Sequence, residues 1–170
     1  MSGCDDASPA GDDGRWVERR DGIRHPSPAY ARAFLGLVRA GEELDHALDA
    51  DLRRAHGLGL RAYEVLLHLA AFASDRRLRI TELAAQAPLS QSRVSRLVAE
   101  LEADGLVTRS PSPDDARGVE VALTDRGLDR LREVQDTHHR SLEEHLFSRL
   151  SHDQIIQLGD IAAAILPERA

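Results

Sequence analysis

From Ser90 to Thr124 the chain reads SQSRVSRLVAELEADGLVTRSPSPDDARGVEVALT, and within this stretch the hydrophobic period changes. Val94, Leu97 and Leu101 recur at helical spacing with Val98 at their border, so they define the inward face of a helix that Ser90 can cap. Gly105 can take the left-handed position after the last turn while Leu106 folds back onto Leu101. Beyond Leu106 the β-branched, alternating segments LVTRS and VEVALT flank a loop rich in Pro, Asp and Gly, which reads as an antiparallel hairpin. That succession constrains the fold more than any other feature of the chain.

The elements before it fit the same plan. RLRI, residues 77–80, is a strand fragment, and Thr81 can cap a short helix, ELAAQA, that Pro88 closes. A short helix, a turn, a second helix and an immediate hairpin is the layout of a winged helix-turn-helix, with the winged part at about residues 60–124. Ser27 and Pro28 start a long helix whose stripe is Phe34, Leu37, Val38, Gly41, Leu44, Leu48 and Leu52, ending near His56. A mostly apolar, buried helix begins near Leu60.

Thr124 caps a further long helix with Leu128, Leu131, Val134, Leu142 and Leu146 on its stripe, and the register slips at His138 and His139, where polar residues interrupt it. In SHDQ, Ser151 and Gln154 have the spacing of a capping box, Leu150 and Ile155 that of a hydrophobic staple, and the last helix runs to Pro167. Residues 1–25 form a disordered or loosely docked tail, in which Trp16, Val17 and Ile23 are possible anchors, and 26–167 form one unit. The fold class expected is mainly α with a small β-hairpin wing. An aromatic share of 4% leaves aliphatic side chains to fill the core.

Charge narrows the function. A net charge of −7 excludes an indiscriminate polyanion binder, so any DNA contact must be local. From Leu89 to Ala99 the chain carries Arg93 and Arg96 and no acid, whereas Glu100, Glu102 and Asp104 are withheld until the far half of the helix. Ser92, Arg96 and Ala99 lie opposite the apolar stripe, Arg93 and Ser95 flank them, and Gln91 stands at the amino end. Small hydroxyls permit close approach to a major groove, glutamine pairs with adenine, and arginine pairs with guanine or clamps phosphate. Arg117, the one cation in the acidic hairpin loop, then falls near the adjacent minor groove, with Asp115 two residues earlier to brace its fork and Gly118 leaving room for the turn.

These residues resemble the multiple antibiotic resistance regulator (MarR) family of bacterial transcription factors. The resemblance covers about Ser27 to Leu166. It is most specific in ITELAAQAPLSQSRVSRLVAELEADGLVTRSPSPDDARGVEVALTDRG, where Asp115-Ala116-Arg117-Gly118 matches the family's wing signature of Asp, any residue, Arg, small residue. It implies a homodimer in which helices at about 27–56 and 124–167 interlock, and two winged domains straddling a near-palindromic site with half-sites about one helical turn apart. It also implies a repressor that a small, often aromatic or phenolic, effector releases from double-stranded DNA. Phe34, Val38, Tyr63, Leu67 and His68 are the residues placed to line such a pocket.

Other classes fit less well. Neither His138 nor His139 has a histidine partner at the helical spacing of a zinc pair, so the expectation is no metal and no cofactor, with His138, His139 and His145 solvated or at an interface. A glycine-rich phosphate loop, a serine elbow and paired carboxylates in a cleft are all absent, which argues against an enzyme. A helical protein-interaction module would leave the hairpin arginine unexplained. The single cysteine, Cys4, permits no intrachain disulfide and suits a reducing cytoplasm, and no apolar run approaches the roughly 20 residues of a membrane span.

Overall fold

The computed structural model describes residues 14–18, 20–71, 73, 75–86, 89–112 and 115–166. Two compact units divide the chain between Glu43 and Leu44. In the first, strands β1 (Trp16–Glu18) and β2 (Arg24–Pro26) pair antiparallel, so the segment expected to be a loose tail carries a hairpin from Gly14 onward. Gly22 supplies its left-handed turn at φ 72°, and the Asp21 carboxylate accepts from Ile23 N–H at 2.8 Å. The three proposed anchors, Trp16, Val17 and Ile23, are exposed, and the Arg24 guanidinium lies 5.8 Å from the Trp16 ring centroid.

Helix α1 (Pro28–His56) runs from the first unit into the second, and its apolar stripe changes character along its length. Phe34, Leu37 and Val38 are exposed, whereas Leu48 and Leu52 are buried in the core of the second unit. That core draws on α2 (Leu60–Ala71), α3 (Ile80–Gln86), α4 (Gln91–Ala103) and α5 (Asp125–His145), with Tyr63, Leu66, Leu69, Leu83, Val94, Val98 and Val134 almost fully enclosed. Strands β3 (Arg77–Arg79), β4 (Val107–Ser112) and β5 (Asp115–Leu123) form one antiparallel sheet in the order β3-β5-β4, which leaves β4 at an edge. A 3₁₀ turn (Phe147–Arg149) leads to α6 (His152–Ile165), closed at its start by the expected capping box between Ser151 and Gln154.

Helix α5 departs from the sequence reading. Its stripe does not slip at His138: Leu131, Val134, His138, Ser141 and His145 follow at steps of three and four, and the polar members of the stripe face the protein. His138 stacks on Tyr63 with ring centroids 4.4 Å apart. Ser141 is buried and donates to Asp51 Oδ2 at 2.6 Å, while His145 Nε2 stands 3.1 Å from the same oxygen. His138 and His145 are therefore packed within the chain rather than solvated, His138 through its ring against Tyr63 with Nδ1 left without a hydrogen bond, and His145 through the Asp51 carboxylate. His139 is exposed, as expected.

Candidate nucleic-acid interface

The candidate interface is built on α4 and the hairpin that follows. Val94, Val98 and Leu101 bury one face of α4, which differs from expectation in one respect: Val98 sits at the centre of the buried face and Leu97 is at its border, half-buried. On the opposite face Ala99, expected to point outward, is half-buried. Gln91, Ser92, Arg93 and Arg96 are exposed there, and Ser95 is half-buried beside them. Among the described residues neither Arg93 nor Arg96 forms an ion pair, so both guanidiniums are available to an anionic partner. No acid occupies the first turn, where the helix dipole favours negative charge from outside.

The ends of α4 are set differently. Ser90 occupies the capping position, but its hydroxyl pairs with that of Ser92 at 3.2 Å and makes no bond to the helix amides. Thr81 likewise fails to cap α3: that helix starts one residue earlier, and it is the Glu82 carboxylate that accepts from Arg79 N–H at 2.7 Å. The carboxyl end of α4 follows expectation. Gly105 takes φ 71° and donates to Glu102 O, and Leu106 donates to Leu101 O, both at 2.9 Å.

Leu106 then becomes a hub for the wing. Its carbonyl accepts from Thr124 N–H at 3.1 Å and, at 3.0 Å, shares the Thr124 hydroxyl proton with the nearer Gly105 carbonyl at 2.8 Å, while the same hydroxyl accepts from Gly127 N–H at 2.9 Å and caps α5. The root of the hairpin, the end of α4 and the start of α5 thus meet at the adjacent carbonyls of Gly105 and Leu106. Farther out, Glu102 holds strand β4 by both backbone and side chain of Arg109: Arg109 N–H donates to Oε1 at 3.0 Å, Nε to Oε2 at 2.7 Å, and Nη2 lies 2.6 Å from Oε2. The guanidinium holds the Glu102 carboxyl below its ordinary pKa. Sequence reasoning noticed that this acid was withheld to the far half of the helix and missed its partner; opposite charges on either side of the Gly105 turn were the available signal.

At the wing tip the ladder changes register. Pro111 pairs with Val119 and Ser112 with Asp115, which leaves Ala116, Arg117 and Gly118 bulged out of the ladder. The side chains of Asp115 and Arg117, and with them the expected brace between the two, lie outside the described residues.

The five residues expected to line an effector pocket fall in different settings. Phe34 and Val38 are exposed on the first unit's part of α1. Tyr63 is core, with its hydroxyl pKa raised by burial, Leu67 is half-buried, and His68 Nδ1–H donates to Glu64 O at 2.7 Å within its own helix. A cleft of about 640 Å³ lies elsewhere, bordered by His56, Asp104, Arg126, Asp129 and Arg130.

Residues 56–118 match the model of the MarR family. A MarR family transcriptional regulator from Streptomyces coelicolor, Sco3205, solved in complex with DNA, superposes with a TM-score of 0.77 at 34% identity, covering 88% of this chain and 96% of that one. The transcriptional repressor YetL of Bacillus subtilis is 27% identical over 131 residues, 75% of this chain and 77% of its own. The transcriptional repressor IacR of Pseudomonas putida is 32% identical over 80 residues, and there the match spans about half of either chain, 47%. Each of these relatives is a regulator of transcription, and none is an enzyme.

Proposed function

Because this chain belongs to the MarR family of transcriptional regulators, we propose that it is a sequence-specific regulator that binds double-stranded DNA, acts as a repressor, and works as a homodimer on a near-palindromic site. The observation that carries this reading is the acid-free amino-terminal half of α4, residues 91–99, with Arg93 and Arg96 exposed and unpaired and Gln91, Ser92 and Ser95 beside them. In this reading α4 enters the major groove, Gln91 and the arginines read base edges or hold phosphates, and the serines allow close approach. Arg117 reaches the neighbouring minor groove from the bulged wing tip, steadied by Asp115.

The partner is a second copy. Exposed Phe34, Leu35, Leu37 and Val38 on α1 and exposed Ile156, Leu158, Ile161 and Ile165 on α6 are apolar surfaces that one chain leaves open. A small aromatic or phenolic molecule, bound without metal or other cofactor, releases the DNA. No described helix is long and apolar enough to cross a membrane, in keeping with action on DNA in the bacterial cytoplasm.

The test is selection of duplexes by the full-length protein from a random-sequence pool, followed by titration of the selected and a scrambled duplex over a range of salt. The expected result is an enriched palindrome, bound far more tightly than the scrambled control and with steep salt dependence. Failure to enrich any sequence overturns the reading and moves a helical protein-interaction module to first place.

A further inference from the structure

We propose that Glu102 is a positioning residue for DNA binding: it sets the direction in which the wing leaves α4, and so where the wing tip meets the duplex. This rests on the DNA-binding reading above. The recognition face and Glu102 lie on one rigid helix, Gln91–Ala103. The wing is joined to that helix at its root through the Leu106 carbonyl and by Val107, Val121 and Leu123 buried in the core, which leaves the direction of the ribbon beyond the root to be set by other contacts. On one side β5 is held by β3 over Arg77–Arg79. On the other, β4 is an edge strand with outward-facing N–H groups, and Glu102 takes the one at Arg109.

The geometry is stronger than edge protection requires. One carboxylate grips both the peptide N–H and the guanidinium of the same residue, at 3.0, 2.7 and 2.6 Å, so the twist of β4 relative to α4 is fixed as well as its distance. The pair also explains why an acid is tolerated on a helix that faces DNA: its charge is neutralised within the protein by Arg109.

The sign of one substitution separates this role from a merely structural one. Removing an acid from a DNA-binding element strengthens binding if only long-range charge is at work. Positioning demands the opposite. Glu102→Ala is expected to weaken binding of a fluorescently labelled copy of the selected duplex by about tenfold, with the circular-dichroism melt still cooperative. In an Arg117→Ala background, itself about tenfold weaker than the parent, the same change is expected to cost less than about twofold, since the contact that Glu102 places is already gone. Glu102→Gln keeps an acceptor for Arg109 N–H and loses the charge-assisted fork; a loss of about threefold is expected, and this variant carries the test should the alanine variant fail to fold.

Unchanged or tighter binding by the folded Glu102 variants overturns the proposal, as does an equal loss in both backgrounds. If Arg117→Ala alone leaves affinity unchanged, the wing has no DNA contact for Glu102 to place and the proposal falls while α4 recognition stands. If no duplex is enriched at all, it is the DNA-binding reading that has failed.

Discussion

The peptide group of Leu106 is where single atoms decide most. Its carbonyl would lie 2.0 Å from a Cβ built on Gly127, far inside contact distance, so the first turn of α5 can approach the wing root only because residue 127 has no side chain. Gly127→Ala is expected to destabilise the fold by at least about 2 kcal/mol, read from a denaturant melt, since neither the backbone carbonyl nor the helix can move without breaking the Thr124 bonds. His138 is the other residue with a defined outcome. Its Nδ1 is buried without a partner, and burial first, then the charge of His139, pushes its pKa below the usual histidine value. The unfolded chain therefore takes up the proton first as pH falls below about 6.5, and stability is lost from there down through the folded value. His138→Phe, which keeps a ring against Tyr63, should shrink the difference in unfolding free energy between pH 7 and pH 5; an unchanged difference would remove His138 as its source.

Elements were legible in the sequence to the degree that their signals are local. The Gly105 stop, the Thr124 cap and the Ser151–Gln154 box all involve groups within five residues, and each is found where the residue types require. Ser90 and Thr81 carry the same kind of signal and do not cap, because a hydroxyl bonds whatever lies nearest in space: the Ser92 hydroxyl for Ser90, and for α3 the Glu82 carboxylate arrives instead. The β1–β2 hairpin was missed, the segment being read as a loose tail; Asp21-Gly22 is its turn signal, and its strands are only three residues each. Long-range pairs such as Glu102 with Arg109 and Ser141 with Asp51 depend on how elements pack, which no periodicity encodes. For the second pair the consequence is measurable. The Ser141 hydrogen bond is the largest influence holding the Asp51 carboxyl below its ordinary pKa, so its stabilisation is present above about pH 4 and fades as pH falls through the folded value. Ser141→Ala should cost roughly 1–2 kcal/mol at pH 7, and less at pH 3, in parallel denaturant melts; equal costs at the two values would show that Asp51 is not the group involved.

At the scale of the whole molecule, the amphipathic stripes of α1 and α6 were read correctly as apolar, but a stripe does not say what covers it. Leu48 and Leu52 are covered within the chain, whereas Phe34 and Ile161, with 62% and 54% of their surface exposed, are open. Burying such surface against a second copy removes large apolar side chains from water at roughly 1.5–3 kcal/mol each. Ile161→Glu is accordingly expected to leave the monomer's circular-dichroism spectrum intact and to shift sedimentation from dimer to monomer; a variant that still sediments as a dimer would place the contact elsewhere. Charge is distributed on the same scale: a chain of net −7 keeps the amino-terminal half of α4 free of acids, so the DNA binding proposed above is expected to be both local and sensitive to salt.

The hub at Leu106 and Thr124 has a bearing on how proteins built on this plan diversify. Because the wing is held toward its root by the Leu106 carbonyl, by β3 and by Glu102, its outer part behaves as a cassette carried in a fixed socket. Residues inserted or deleted around the bulge at 116–118 would change the cassette's length without disturbing the socket, so, on the DNA-binding reading proposed above, a lineage can explore new operators at the tip while the machinery that holds the wing stays the same.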